Sequence, residues 1–357
     1  MSRYHRQIIL KELGQTGQNQ LTHAKVLVVG AGGLGCPALL YLVAAGVGHI
    51  GIVDDDVVAL SNLHRQVLYG PEDIGQPKAT VARRVLSAQN PEIQLVAYPT
   101  RLTTVNAWDI VAPYDMVLDG TDNFTTRYLL NDLCFLQQKP LIFGAISQFE
   151  GQVSVFNLPQ NGITSANYRD IFPTPPAEGT VHNCAEAGVI GVLPGIVGSL
   201  QAAEVIKIIT GIGRPLANAI MTYNLLTNNS LKLKIHPRPE TIRLIPKDRA
   251  AFEQTNYQLL CGIPEKTLEI GGSELNQYLH RNDVQLIDIR EPHETPDLTT
   301  FPHQRITMKT LAESDFTRPT VIFICQSGKR SLSTAHKWSE NLPDKQFLSV
   351  RGGVLAL

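Results

Sequence analysis

Short apolar runs that stop at glycines or acids recur through the first two-thirds of the chain. Lys25 to Val29 ends at Gly30, a helix-like stretch follows from Cys36 to Ala45, and His49 to Val53 closes on Asp54-Asp55-Asp56. Runs this short, apolar without alternation, predict strands buried on both faces of a parallel sheet. Strand, glycine turn, helix, strand and acid, in that order, predict a βαβ nucleotide-binding unit. Met116 to Leu118, ending at Asp119-Gly120-Thr121-Asp122, and Pro140 to Phe143, ending at Gly144, predict two more strands with polar loops at their C-terminal ends. Ligands bind at such ends in open α/β sheets. From His236 to Pro264 the pattern weakens into connector-like sequence, and a second α/β pattern then begins. Val284 to Ile289 and Thr320 to Ile324 predict strands, and Ser331 to Glu340 a helix. The fold class is therefore α/β, with a Rossmann-like domain over residues 1–250, a tail and linker to about 264, and a smaller α/β domain over 265–357.

Composition narrows the picture. A chain of 357 residues suits two domains, and 43% apolar residues can bury a sizeable core. The formal net charge of -1 argues against a nucleic-acid surface, so any anion site is local. Five cysteines, Cys36, Cys134, Cys184, Cys261 and Cys325, are odd in number and dispersed, which points to a reducing compartment. The N-terminus lacks the pattern of a signal peptide. The richest apolar stretch, Ala187 to Leu200, is interrupted by four glycines and Pro194, short of the ~18 residues of a membrane span. A cytoplasmic protein without a membrane partner is expected.

Gly30-Ala31-Gly32-Gly33-Leu34-Gly35 fits G-x-G-x-x-G directly after a strand, and Asp54 stands where an acid for ribose hydroxyls belongs. The loop alone fits ATP, NAD or FAD, and a dehydrogenase is the first alternative. The next segment, Ser61-Asn62-Leu63-His64-Arg65-Gln66, is followed by Gln76-Pro77-Lys78, so two cations stand thirteen positions apart. A triphosphate under attack needs fixed cations, because charge grows on its oxygens. Gly120-Thr121-Asp122-Asn123 places a carboxylate at a strand end, where it suits magnesium. Taken singly, Arg65 and Lys78 also suit solvated surface charges, and Asp122 a helix N-cap before Phe124.

Together these residues resemble the MoeB/ThiF family, bacterial relatives of ubiquitin-activating enzymes. Arg3-Tyr4-His5-Arg6-Gln7-Ile8-Ile9-Leu10 resembles its opening motif and Gly198 to Glu204 its late helix, so the resemblance spans about residues 1–262. It implies that Gly30, Gly32, Gly33 and Gly35 form the nucleotide loop and that Asp54 holds the ribose. It further implies that Ser61, Asn62, Leu63, His64, Arg65 and Lys78 form the phosphate side, with Asp122 and Asn123 at the magnesium end. Arg6 would reach the triphosphate of the other subunit in a homodimer. The implied reaction is adenylation, by ATP with Mg2+, of the C-terminal glycine of a ubiquitin-like sulfur-carrier protein (MoaD/ThiS type) that ends in Gly-Gly.

The resemblance also implies that Cys184, in His182-Asn183-Cys184-Ala185-Glu186-Ala187-Gly188-Val189, accepts the activated acyl group or a persulfide sulfur. Cys36 and Cys134 suit packing, and Cys261 a structural place. Many family members bind a structural zinc with two C-x-x-C pairs. This chain has Asn167-Tyr168-Arg169-Asp170 at the first and no cysteine near His236 to Glu240 at the second, so no zinc is expected.

In the second domain Val321-Ile322-Phe323-Ile324 leads into Cys325-Gln326-Ser327-Gly328-Lys329-Arg330-Ser331 and a helix. N–H groups at a helix start favour a thiolate or persulfide, and Lys329 and Arg330 add positive charge. Four residues separate Cys325 from Arg330, one fewer than in a phosphatase loop. The loop resembles rhodanese sulfurtransferases, as do Leu286 to His293 and Arg351-Gly352-Gly353, while the usual segment between Thr295 and Thr310 is missing. The two resemblances imply a thiocarboxylate on the carrier, with sulfur from a cysteine desulfurase or thiosulfate, for molybdopterin, thiamine or tRNA thiolation. A nicotinamide- or flavin-dependent oxidoreductase and a non-catalytic regulator stay open as alternatives.

Overall fold

The structure is a computed structural model and describes residues 3–160, 162–176, 188–261, 268–299 and 301–357. The strands are β1 (Lys25–Val29), β2 (His49–Val53), β3 (Gln94–Tyr98), β4 (Met116–Asp119), β5 (Leu141–Ser147) and β6 (Glu150–Phe156). A small hairpin, β7 (Pro159–Gln160) and β8 (Ile163–Thr164), precedes β9 (Ala219–Asn224) and β10 (Asn229–Lys234). The large sheet runs β10-β9-β6-β5-β4-β1-β2-β3, with β5, β4, β1, β2 and β3 parallel and the other three antiparallel.

The central strand explains its own sequence. Val26 and Val28 of β1 belong to the apolar core on one face of the sheet, Leu27 and Val29 to the core on the other, and all are buried. Both faces are covered, so the run is uniformly apolar rather than alternating. Each such side chain contributes roughly 1.5–3 kcal/mol on burial.

The glycine-rich stretch from residue 191 ends differently from its reading. Val192–Thr210 is one helix of 19 residues, by length and composition apolar enough to cross a bilayer. Pro194 sits in its first turn, where a missing N–H costs no hydrogen bond, so it does not break the helix. The helix packs on β5, β6 and the helix Gly35–Ala45. Its buried Gln201 donates to the carbonyls of Asp119 (2.7 Å) and Ile142 (3.3 Å), and Gly198 lets it approach Leu34, whose carbonyl oxygen would lie 2.3 Å from a Cβ.

The chain divides into two compact units, Met1–Ile263 and Pro264–Leu357. Residues 249–261, which read as connector, belong to the first. The helices Arg249–Gln254 and Tyr257–Leu260 pack on the helix Phe124–Leu136, and Phe252 and Tyr257 are core residues. Two anchors so far apart leave no periodic signal.

The second unit has its own parallel sheet, ordered β11 (Glu269–Ile270), β15 (Gln346–Val350), β14 (Thr320–Ile324), β12 (Val284–Asp288), β13 (Gln304–Arg305). The segment without a family signature still supplies an edge strand, since Gln304 pairs with Ile287.

Candidate active site

The register of β1 assembles the first site. Val29 aligns with Val53 of β2 and with Asp119 of β4, so the three strand ends deliver Gly30, Asp54 and Gly120 side by side. Gly30 N donates to the Val53 carbonyl and Gly120 N to that of Val29, both at 2.8 Å. Gly30 has φ +91°, and a Cβ there would lie 2.8 Å from the Gly120 carbonyl; one on Gly35 would lie 1.9 Å from the Gly30 oxygen. Glycine is required at both places because the turn closes on itself.

The loop is braced from below. Tyr69 Oη (2.7 Å) and Cys36 Sγ (3.2 Å) donate to the Ala31 carbonyl, and Ala31 N donates to Asp54 Oδ2 (2.7 Å). Burial pushes the Cys36 thiol up to about 12, so it braces without reacting. Burial also raises the Asp54 carboxyl, against hydrogen bonds from the Ala31 and Asp56 N–H groups. Lys78, only 4% exposed, points its ammonium at Asp56 Oδ2 (2.5 Å) from the first residue of the helix Lys78–Gln89.

A cavity of about 2170 Å³ opens over these residues, lined by Gly30, Gly32, Gly33, Asp54, Asn62, Arg65, Lys78, Asp122 and Asn123. Other expected residues do different work. Gly35 closes the turn, Leu63 packs against the core, and the Ser61 carbonyl accepts from Arg65 Nη1 and faces His64 Nδ1, both at 3.0 Å. Asn62 holds its own turn through Ala59 N. Asn123, not Asp122, caps the helix Phe124–Leu136 by accepting from Thr126 N (2.8 Å), which leaves the Asp122 carboxylate exposed in the cavity. Arg6 is exposed on the short helix His5–Ile8 and does not line the cavity.

The sequence reading missed Gln66 and Arg127. Gln66 is buried beside Gly32, and its Oε1 has no hydrogen-bond partner among the described residues. Arg127 lies 3.6 Å from buried Asp119 and donates to the Thr121 carbonyl, holding the Asp122 loop from behind. Its position four residues after Asn123, on the same helix face, was the available signal. Cys184 lies outside the described residues; Pro176 and Val189, on either side of that stretch, line the cavity.

The positions of the family's zinc are filled by a carboxylate. Asp170 Oδ2 accepts from Asn167 N (2.8 Å) and Nδ2 (3.0 Å), and its Oδ1 accepts from Arg238 N (3.0 Å) and Thr241 Oγ1 (2.5 Å). One buried side chain thus joins the two segments that cysteine pairs would join. No cluster of three or more His, Cys, Asp or Glu with metal-ligand geometry occurs among the described residues, and one carboxylate without thiolates does not fit a closed tetrahedral zinc site. Protein made without a metal-binding tag should contain far less than one zinc per chain by elemental analysis. Asp170→Ala should cost about 2–3 kcal/mol in denaturant unfolding, since it orphans buried donors. A stoichiometric zinc content, or an unchanged unfolding midpoint, would refute this assignment.

In the second unit the loop after β14 curls around Cys325, which is buried. Ser331 N and Oγ both point at Sγ from 3.3 Å, and Ser349 Oγ lies 2.8 Å behind Ser331 Oγ. Gly353 lets the C-terminal segment close on the loop, since a Cβ there would lie 2.2 Å from the Cys325 carbonyl, which accepts from Val354 N (2.9 Å). Burial alone would push the Cys325 thiol up. Hydrogen bonds from Ser331 and from the N–H groups of Ser327 and Arg330 outweigh it and hold the thiol below its ordinary value. Burial raises Cys36, Cys134 and Cys261 instead. Alkylation of Cys325 should therefore persist to lower pH than that of Cys261, because the thiolate is the reactive form. Parallel pH profiles for the two, read by peptide mass mapping, would contradict the cradle. The Arg330 guanidinium, expected to add charge at the sulfur, does interact with Cys325, and Glu294 pairs with it as well.

Comparison with known proteins decides the first unit. The ThiF family model matches residues 4–243. The chain belongs to the ThiF family. It is 53% identical over 264 residues to the sulfur carrier protein adenylyltransferase of Thermus thermophilus, covering 74% of this chain and 97% of that one. It is 41% identical over 345 residues to the probable adenylyltransferase/sulfurtransferase MoeZ of Mycobacterium tuberculosis, covering 93% of this chain and 86% of the relative. Among solved structures, MccB of E. coli in complex with ATP shares the fold, with a TM-score of 0.59 at 22% identity over 67% of this chain and 73% of that one. ThiF membership rules against the hydride-transfer alternative.

Proposed function

We propose that the chain adenylates the C-terminal glycine of a ubiquitin-like sulfur-carrier protein with ATP and then supplies sulfur from Cys325 to make a thiocarboxylate. The carrying observation is the cavity over β1, β2 and β4, which collects Asp54, Asn62, Arg65, Lys78 and Asp122 around a glycine loop in a ThiF-family chain. At about 2170 Å³ it exceeds the ~300–1,000 Å³ of an ordinary small-molecule site, leaving room for an extended peptide tail beside the nucleotide.

A carboxylate is a poor acyl donor because its leaving group would be oxide. An oxygen of the glycine carboxylate attacks the α-phosphorus of ATP, the bond to the bridging oxygen breaks, and pyrophosphate leaves. Asp54 orients the ribose, the loop N–H groups face phosphate, and Asn62, Arg65 and Lys78 meet the growing charge. Mg2+ takes one or two carboxylates plus substrate phosphates, which suits exposed Asp122, and it would neutralise phosphate charge there. The terminal sulfur of a Cys325 persulfide then displaces AMP from the acyl carbon, giving an acyl disulfide. A second thiol attacks Cys325 Sγ, the S–S bond breaks, the thiocarboxylate leaves, and the disulfide formed is reduced by a cellular dithiol. Cys184 carries the acyl group or the sulfur between these steps. The residues after 264 act as a rhodanese-like domain and residues 1–250 as the adenylation domain. A reducing cytoplasm suits a chain whose described cysteines are all free.

A homodimer would place Arg6 at the other subunit's triphosphate. An exposed apolar face with Tyr41, Val67 and Val192 around a groove of about 860 Å³ suits that partner. ATP–pyrophosphate exchange should appear only when a carrier ending in Gly-Gly is added; equal exchange without a carrier would overturn the substrate assignment. Cys184→Ser should leave that exchange and the sulfur loading of Cys325 intact while slowing thiocarboxylate formation. Wild-type thiocarboxylate formation in Cys184→Ser would remove Cys184 from the pathway.

A further inference from the structure

Both arginines near Cys325, Arg330 and Arg290, are paired with carboxylates. Glu294 binds both terminal nitrogens of Arg330, Oε2 at 2.9 Å from Nη1 and Oε1 on Nη2, and Oε2 also accepts from Glu291 N (2.8 Å). Arg290, fully buried, is spent on Asp288 and on the carbonyl of Pro296, and reaches Gln326 of the loop at 3.2 Å. Gln326 in turn donates to the Thr295 carbonyl (2.7 Å), so the segment carrying Glu294 is tied to the loop carrying the thiol. Hydrogen bonding to Arg330 holds the Glu294 carboxyl at about 2, so it stays ionised in any physiological medium. Glu294 first, by hydrogen bond and charge, and then Cys325, by charge and a side-chain hydrogen bond, raise the pKa of the guanidinium. The Arg330 side chain therefore stands beside the sulfur with its charge already answered.

Two kinds of sulfur donor would meet this cup differently. With thiosulfate, the Cys325 thiolate attacks the outer sulfur, the S–S bond breaks, and sulfite leaves as a dianion. With a hydropersulfide on another protein's cysteine, the thiolate attacks the terminal sulfur, the S–S bond breaks, and that cysteine leaves as a thiolate. The proton stays on the transferred sulfur. The first route brings a small dianion to the thiolate and needs an open cation to receive it. The second brings far less charge. Lys329 is exposed and without a carboxylate partner among the described residues, but Arg330, whose backbone N–H and side chain both face the sulfur, has its two terminal nitrogens taken by Glu294.

We propose that Glu294 is a donor-specificity residue: by engaging Arg330 it offsets one of the loop's two cations, disfavours the thiosulfate dianion, and leaves Cys325 better suited to sulfur delivered as a persulfide on a protein thiol. This rests on Cys325 being the sulfur carrier, and the test separates the two.

The full chain is compared with Glu294→Gln and with the double variant Glu294→Gln/Arg330→Gln. Two readouts are taken: alkylation of Cys325 by iodoacetate, an anion, against iodoacetamide, its neutral analogue; and sulfur transfer to cyanide from thiosulfate against a protein persulfide. Glu294→Gln should raise the iodoacetate-to-iodoacetamide rate ratio and lower the KM for thiosulfate, each by ~10-fold, the scale of one added charged hydrogen bond. Persulfide turnover should stay within a factor of about two, and the double variant should lose the gain, because the freed cation is gone. An unchanged ratio and KM in Glu294→Gln would overturn the proposal, as would a gain that survives in the double variant. If iodoacetamide does not label wild-type Cys325 and neither donor turns over, the sulfur-carrier reading falls first and the proposal with it.

Discussion

Lys78→Ala and Asp122→Ala should each reduce carrier-dependent ATP–pyrophosphate exchange by a factor of at least ~100, the scale for losing one transition-state electrostatic contact. The two residues reach the cavity by different routes, which makes the pair informative. Lys78 is buried, and its ammonium is aimed by Asp56, whose backbone carbonyl also accepts from Lys78 N at 2.9 Å. Removing it leaves Asp56 facing the phosphates without a counter-charge. Asp122 is exposed, and its backbone is held by neighbours: Thr121 N and Oγ1 donate to Asp119, and Arg127 donates to the Thr121 carbonyl. Its truncation should spare the fold, so lost exchange in Asp122→Ala reports chemistry rather than unfolding. Thermal melts check that distinction. Normal exchange in both variants would overturn the nucleotide site.

Cys325→Ser should abolish sulfur transfer from either donor and leave pyrophosphate exchange nearly intact. A hydroxyl cannot carry a sulfane sulfur, whereas adenylation uses no thiol. The substitution keeps the donors of the cradle, because Ser331, Ser327 and Arg330 present backbone and hydroxyl groups that do not depend on the sulfur. Intact mass spectrometry of the carrier reads the outcome, since the thiocarboxylate differs by one oxygen exchanged for sulfur. Thiocarboxylate formed at the wild-type rate by Cys325→Ser would show that the second unit is not the sulfur source.

Much of this was legible in the sequence because the site is built from strand ends. A buried parallel strand announces itself as a short apolar run, and the residue after it is fixed by register. Gly30, Asp54 and the Gly120–Asp122 loop could therefore be placed from pattern alone. The rest depends on contacts no local pattern encodes. Gln66 is buried against the glycine loop, its amide 3.6 Å from where a Cβ on Gly32 would lie, a contact between segments 34 positions apart. Arg127 looks like any helical cation until its partner Asp119, buried at the end of β4, is seen. The helix Val192–Thr210 was obscured by glycines that serve close packing rather than breaks, as Gly198 does against Leu34. The pairing of Arg330 with Glu294, 36 positions away, offsets the charge its place in the loop brings to the sulfur.

The Asp170 clip carries a consequence for supply. A closure made from a carboxylate, an amide and a hydroxyl draws every part from the ribosome. A clip of this make needs no zinc to close, so zinc starvation or a zinc chelator should leave the join between Asn167, Asp170, Arg238 and Thr241 intact. It also does not compete with the cell's other metalloproteins for a scarce ion. The closure should therefore hold under zinc limitation, when a cysteine-built clip would have to wait for its ion.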